Sequence, residues 1–196
     1  MVDVEPSVKV GVRLDAEPNA LGVWLADGSA YDAAGADALW IDVGPDVSLD
    51  TVSLAAALAV MTAKARVTLV LGETDVPSAQ LARGLETVRR LSHERLALAV
   101  DAEGADALTD LLPDVPILRR EPDGSGWVDP RAGAGDLARW LATPTPEGRA
   151  GWRETRAQAA ARGAYGIVVP SHPLLLDVLR NPGDPGGRGD LRLAQG

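Results

Sequence analysis

"SLDTVSLAAALAVMTAKARVTLVLG", residues 48–72, sets a helix against a strand and decides the fold class. Ser48 is placed to cap a helix over 49–63. The middle of that helix, "VSLAAALAVM", is apolar nearly all round, and such a helix is covered on two sides. One side is expected to face the domain core and the other a second subunit, which predicts a homodimer through 49–63. "ARVTLVLG", residues 65–72, is apolar enough to be buried on both faces, as strands of a parallel sheet are.

The same alternation continues to either side. "VKVGVRL" (8–14) and "DALWIDVG" (37–44) read as strands, with a short helix between them capped by Asp27 or Ser29 and stopped by Gly35. After Pro77, the stripe Leu81, Leu85, Val88 and Leu91 marks a helix, with Glu86 and Arg90 as a favourable surface pair. "RLALAV" (95–100) is a fourth strand, "GADALTDLLPD" (104–114) a short helix and "VPIL" (115–118) a fifth strand. Residues 119–136 are rich in Gly, Pro and charge and read as a long loop, followed by a helix near 136–142. Thr145, Pro146 and Glu147 start a helix to about Arg162 that Gly163 ends; "AYGIVVP" is a last buried strand, and "HPLLLDVLR" a final helix.

Strands that alternate with helices predict an α/β fold with parallel pairing. An eightfold barrel usually needs roughly 250 residues. The expected fold is therefore a shortened or incomplete TIM-type (β/α) barrel of about six parallel strands, with an open doubly wound sheet as the alternative. One domain is expected over 1–182, followed by a Gly/Pro-rich tail over 183–196.

The bulk composition narrows function by exclusion. A net charge of −9 opposes nucleic-acid and anionic-membrane partners, which need a basic face. No cysteine is present and there are only two histidines, far apart, so neither a disulfide framework nor a Cys- or His-based metal site is expected. No signal peptide and no membrane-length apolar run are evident, so a cytoplasmic protein acting on a small molecule is the expectation. No nucleophile elbow or Walker loop occurs.

Several segments, in order, resemble the bacterial luciferase-like superfamily of flavin- or deazaflavin-dependent oxidoreductases. "YDAAGADALWIDVGPD" looks like its first helix and second strand, and "SLDTVSLAAALAVMTAKARVTLVLG" like the next helix and third strand. "PSAQLARGLETVRRLSHERLALAV" is similar to its Leu-Ser-Gly-Gly-Arg-Leu turn and fourth strand, with His93 and Glu94 standing where the family has glycines. "GAYGIVVP" and "LLDVLRNP" are similar to its C-terminal segment. The resemblance implies FMN or a deazaflavin held at the C-terminal ends of the strands, with oxidoreductase or monooxygenase chemistry. The segment after the second strand, where the family often carries histidine, here runs from Asp42 to Asp46. That departure leaves a catalytically degenerate paralogue, acting as a flavin-binding or structural partner, as the alternative.

Barrel active sites lie at the C-terminal strand ends. That rule selects Asp15, Asp42, Gly72 with Glu73, Asp101, Arg119 with Arg120, and Ser171 with His172. Asp42 is a candidate base or acceptor for a flavin ring nitrogen, and His172 a candidate general acid or phosphate donor. For any one of them the plainer reading is a polar loop start. Two stretches are candidate phosphate loops: "RAGAGDLA" (131–138), with Arg131, Gly133 and Gly135, and "TPTPEGR" (143–149), with Arg149. The second is similar to the family's Gly-Thr-Pro-Glu helix start. Trp24, Trp40, Trp127, Trp140 and Trp152 are candidate walls for an isoalloxazine. His93 precedes its strand, so it is assigned to a helix-to-strand turn at the opposite rim, with Arg95 free to pair with the preceding helix's last carbonyls.

Overall fold

Eight short strands close on themselves in the order β1 to β8 in the computed structural model, which describes residues 8–14, 20–42, 49–72, 78–130 and 139–181. The elements follow as β1 Lys9–Leu14, α1 Leu21–Ala34, β2 Ala38–Asp42, α2 Thr51–Met61, β3 Arg66–Leu71, α3 Ala79–Leu91, β4 Leu96–Val100 and α4 Ala102–Leu111. Then come β5 Ile117–Arg120, β6 Gly126–Val128, β7 Arg139–Ala142, α5 Gly148–Ala161, β8 Gly166–Pro170 and α6 Pro173–Arg180. Among the described residues no helix is long and apolar enough to cross a membrane. The tail expected over 183–196 lies outside the described residues.

The barrel is TIM-like but complete, which corrects the expectation of about six strands. The two strands not foreseen are β6, inside the stretch read as a loop, and β7, where a helix was expected. Both pair antiparallel at their shared edge, and β6 is antiparallel to β5 as well; the other neighbours are parallel. No helix lies between β5 and β6. Antiparallel pairing through β5, β6 and β7 stands where helix-linked parallel steps would otherwise be, and this is how a chain of this length closes the ring. An antiparallel segment can leave its outer face wet. Accordingly that face carries Arg119, bonded to Asp106 at 2.5 Å, and Arg139, bonded to Glu121 at 2.9 Å. Three residues of "GWV" among Gly, Pro and charged neighbours look like loop in a sequence, and four residues of "RWLA" cannot separate a strand period from a helical one.

Alternation along each strand sorts side chains between helices and lumen. Val10, Val12, Leu39, Ile41, Val67, Leu69, Leu96, Leu98 and Ile167 face outward. They form the larger core with Leu54 and Leu58 of α2, Leu85 and Val88 of α3, Leu108 of α4, Trp152 of α5 and Leu175 of α6. The inward residues form a second cluster, and register places them in layers drawn from alternate strands. Gly11, Thr68, Leu118 and Trp140 make one layer; Trp40, Ala99, Trp127 and Val168 the next toward the C-terminal mouth. The indole centroids of Trp40 and Trp127 lie 4.8 Å apart and those of Trp40 and Trp140 lie 5.6 Å apart. Such bulk needs room elsewhere in the layer. A Cβ on Gly11 would sit 2.5 Å from Trp40 Nε1, and one on Gly166 would sit 2.5 Å from Trp140 Cζ3.

Helix boundaries moved for local reasons. Helix α1 starts well before Asp27, at Leu21, with no side-chain cap, and Gly35 at φ 100° ends it as expected. Helix α2 is capped by Asp50, whose carboxylate accepts from Ser53 N at 2.7 Å; Ser48 lies outside the described residues. Leu54, Ala55, Leu58 and Ala59 are buried, while Val60 and Met61 remain exposed. Glu86 pairs with Arg89 as well as Arg90, and these two hydrogen-bonded guanidiniums hold its pKa down at about 2.

The turn after α3 is a strained one. His93 and Glu94 both adopt left-handed backbone, at φ 52° and 66°. That is a conformation glycine takes freely, and it costs other residues roughly 1–2 kcal/mol. Arg95 does not serve α3, as expected from the sequence; Ser92 Oγ closes that helix by donating to Arg89 O at 2.9 Å. Arg95 instead reaches the end of α2, donating to Ala59 O at 3.1 Å, Thr62 O at 2.8 Å and Ala65 O at 2.5 Å. His93 is exposed, so replacing it with glycine should relieve the backbone without loss of packing. The thermal midpoint of H93G is expected to rise by about 2–4 °C, the shift that roughly 1 kcal/mol produces in a chain of this size. A midpoint at or below that of the parent would show the turn to be unstrained.

Candidate functional site

Two adjoining features occupy the C-terminal end of the parallel strands. The first is the mouth of the barrel. Above the tryptophan layer, register puts Arg13 of β1, Val70 of β3, Arg120 of β5 and Ala142 of β7 in one layer. Asp42 stands beside Arg13 at 3.7 Å, and Asp101, at the N-cap of α4, beside Arg120 at 3.9 Å. The Arg120 guanidinium lies 6.0 Å from the centre of the Trp127 ring, in reach of a cation–π contact. The tryptophans below are nearly closed off from solvent: Trp40 is 1% exposed, Trp140 2% and Trp127 5%. They are a floor, not an open pocket. Trp24 and Trp152 sit outside the barrel wall, among the helices. The expectation that all five tryptophans surround one ring is therefore corrected.

The second feature is a groove of about 340 Å³ between the start of α5 and the length of α6. Thr145, Pro146, Arg149, Trp152, His172 and Asp177 are among its walls. Two candidates from the sequence, Arg149 and His172, thus share one surface although they are far apart in the chain. His172 is the N-cap of α6, and its Nδ1 accepts from Leu174 N at 3.2 Å. A ring nitrogen that accepts an amide bond carries no proton, so the neutral ring keeps its proton on Nε2 and presents a donor there. Protonating Nδ1 would break the cap. Arg149 is engaged within the groove, donating to Asp177 Oδ2 at 2.6 Å and to Asn181 O at 2.7 Å. Hydrogen bonds from Asn181 and then from Arg149 hold the Asp177 carboxyl below its usual range. Glu147, at the N-cap of α5, makes no side-chain cap bond.

The remaining candidates divide cleanly. Ser171 N donates to Arg13 O at 2.7 Å and so ties β8 to β1 at the mouth. Gly72 lies just past β3 on the same rim. Asp15, Glu73, Arg131, Gly133 and Gly135 lie outside the described residues. The chain enters and leaves 131–138 at the opposite rim, because β6 runs against β5 and because Tyr165 N, just before β8, donates to Arg139 O at 2.9 Å. Among the described residues no group of three or more His, Asp or Glu is placed to hold a metal ion. The residue missed by the sequence reading is Arg13. Alternation in "VKVGVRL" does mark it, since it shares the inward face with Gly11.

No protein-family model matches this chain, and no curated protein matches it in sequence. Among solved structures it is similar to monooxygenase RslO1 from Streptomyces bottropensis, at 14% identity and a TM-score of 0.47, over 83% of this chain and 70% of that one. It is also similar to riboflavin lyase RcaE, solved with modified FMN and riboflavin, at 14% identity and a TM-score of 0.44, over 84% of this chain and 62% of that one. A third is tryptophan synthase from M. tuberculosis, at 13% identity and a TM-score of 0.47, over 89% of this chain and 86% of that one.

Proposed function

We propose that this chain is a small barrel protein that binds FMN or a deazaflavin, with the phosphate end in the groove between α5 and α6. The observation that carries the reading is the meeting of Arg149, His172 and the start of α5 after β7 and β8. Loops after the last two strands and a helix N-terminus are a recurrent phosphate site in barrels of this architecture. His172 Nε2–H is a donor of the right kind, and Arg149 supplies a planar fork suited to an oxyanion. An incoming phosphate would take the place of Asp177 as the partner of Arg149. When bound, the isoalloxazine or deazaflavin ring supplies the hydride or electron chemistry, and the protein supplies binding and orientation. Asp42, at the mouth, is the proposed acceptor for a ring nitrogen.

Titration of the purified protein with FMN and with a deazaflavin, followed by flavin fluorescence, tests this. Arg149→Ala is expected to weaken binding about tenfold or more, the loss expected for a charge-assisted bond. Asp177→Asn is expected to tighten it, because the competing carboxylate is gone. No binding at tens of micromolar would remove the flavin reading and favour the alternative, a barrel paralogue kept for a structural role.

A further inference from the structure

The mouth of the barrel carries a feature that the groove does not use. Arg13 and Arg120 stand half a ring apart, on β1 and β5, in one layer of inward side chains. Both are open to solvent, with side chains 45% and 51% exposed. The other two members of that layer are apolar and small: Ala142 is exposed and Val70 partly so. Charged side chains that point into a barrel are expected to have firm partners. Arginines outside the lumen have them: Arg95, Arg119, Arg139 and Arg149 all make hydrogen bonds of 3.2 Å or less. Arg13 and Arg120 do not. Their contacts to Asp42 and Asp101, at 3.7 and 3.9 Å, are longer than a hydrogen bond, and among the described residues their guanidinium groups have no hydrogen-bond acceptor. The aspartates balance the charge and leave the N–H forks unfilled.

We infer that the mouth is a binding site for a small organic carboxylate, with the carboxylate taken by Arg13 and Arg120 and an apolar body set against Val70 and Ala142. The fork geometry of arginine matches a planar carboxylate, and a pair facing each other across a closed ring fixes its position as well as its charge. The apolar part of the layer favours a carboxylate with a hydrocarbon body over a bare inorganic anion. The site goes beyond the flavin reading and stands without it: the two share Asp42 at the mouth, but Arg13 and Arg120, which take the carboxylate, have no part in the flavin reading.

Tryptophan fluorescence reads it directly, since Arg120 sits over Trp127 and Trp127 packs on Trp40. The probes are benzoate, acetate and inorganic phosphate, titrated at low salt into the protein without flavin. Benzoate is expected to give a saturable change, with acetate and phosphate much weaker. Arg13→Gln and Arg120→Gln should each weaken benzoate about tenfold or more. Asp42→Asn should strengthen it, and Arg149→Ala should leave it unchanged. Arg120→Lys keeps the charge without the fork and guards against a folding defect; it should also bind benzoate more weakly while melting like the parent. No saturable benzoate signal, glutamine variants that both bind benzoate as tightly as the parent, or phosphate preferred over benzoate would each overturn the inference. Benzoate binding with no FMN binding would remove the flavin reading and leave this one standing.

Discussion

Replacing Asp32 with alanine is expected to lower the stability at pH 7 by about 3–5 kcal/mol, the cost of breaking a buried charge cluster from one side. Asp32 is only 7% exposed on α1. Its carboxylate accepts from Ala63 N and Lys64 N at 2.9 Å and from Ala65 N at 2.5 Å. These amides begin the turn between α2 and β3, and Arg95 holds the carbonyls of the same turn. One carboxylate and one guanidinium thus satisfy both polarities of a single buried connection. Burial pushes the Asp32 pKa up, but the three amides and Arg95 outweigh it, and the net shift is downward. The sign follows. A carboxylate with a lowered folded-state pKa stabilises the fold above its unfolded value, near 4, and loses that contribution as pH falls through the lowered one. Urea unfolding at pH 7 and again below pH 4 should show the gap between the parent and Asp32→Ala narrowing as pH falls. A gap that is small at pH 7, or that does not narrow in acid, would show the amides to be satisfied by water instead.

This clasp was only half visible in the sequence, and the reason is general to the fold. Periodicity reports which residues are buried, not what a buried polar residue meets. The parallel strands were legible, β1 by its alternation of apolar and polar residues and β2, β3, β4 and β8 as apolar runs covered by helices. Glycine after α1 was legible because backbone chemistry is local, whereas the caps expected from Asp27 or Ser29 and from Ser48 were not the ones used: α1 has no side-chain cap and Asp50 caps α2. Arg95 was seen to be available for helix carbonyls, but its partner helix was misassigned, because the helix it reaches is one unit back in the chain and adjacent only in the barrel. Strands β6 and β7 were hidden by their shortness, three and four residues, too few to show a period. Once Trp127 and Trp140 are seen to be inward, Arg119 and Arg139 fall on the outer face and Arg120 at the mouth.

The candidate site was legible to a similar depth. The rule that chemistry sits at strand C-termini selected Asp42, Asp101, Ser171 and His172, and all four lie at that rim. The rule could not tell which of them share a surface. His172 and Arg149 meet because α5 and α6 follow neighbouring strands, a fact about closure rather than sequence. The same closure sets Arg13 opposite Arg120.

The lumen offers the sharpest test of that closure. Trp140→Ala is expected to cost about 3–5 kcal/mol, since a fully buried indole is removed from a layer that cannot collapse. Gly166→Val is expected to cost about 3 kcal/mol or more, at the upper end for overpacking, because its Cβ would enter the Trp140 ring at 2.5 Å. The two residues are paired across β7 and β8. Their costs should therefore not add. In a Trp140→Ala background, valine at 166 fills part of the vacated volume and suits a strand better than glycine does. The double variant is expected to be no less stable than Trp140→Ala alone, a favourable coupling of roughly 3 kcal/mol in a double-mutant cycle, at the upper end of what contacting residues show. Denaturant unfolding of the four proteins measures it. Additive losses would mean that the indole and the glycine do not share the lumen, and that the strand order placing β7 beside β8 is wrong. Gly11→Val serves as the contrast. Its Cβ would meet Trp40 first, at 2.5 Å, and Trp140 only at 3.1 Å. Removing Trp140 should therefore rescue it little, because the obstacle on β2 remains.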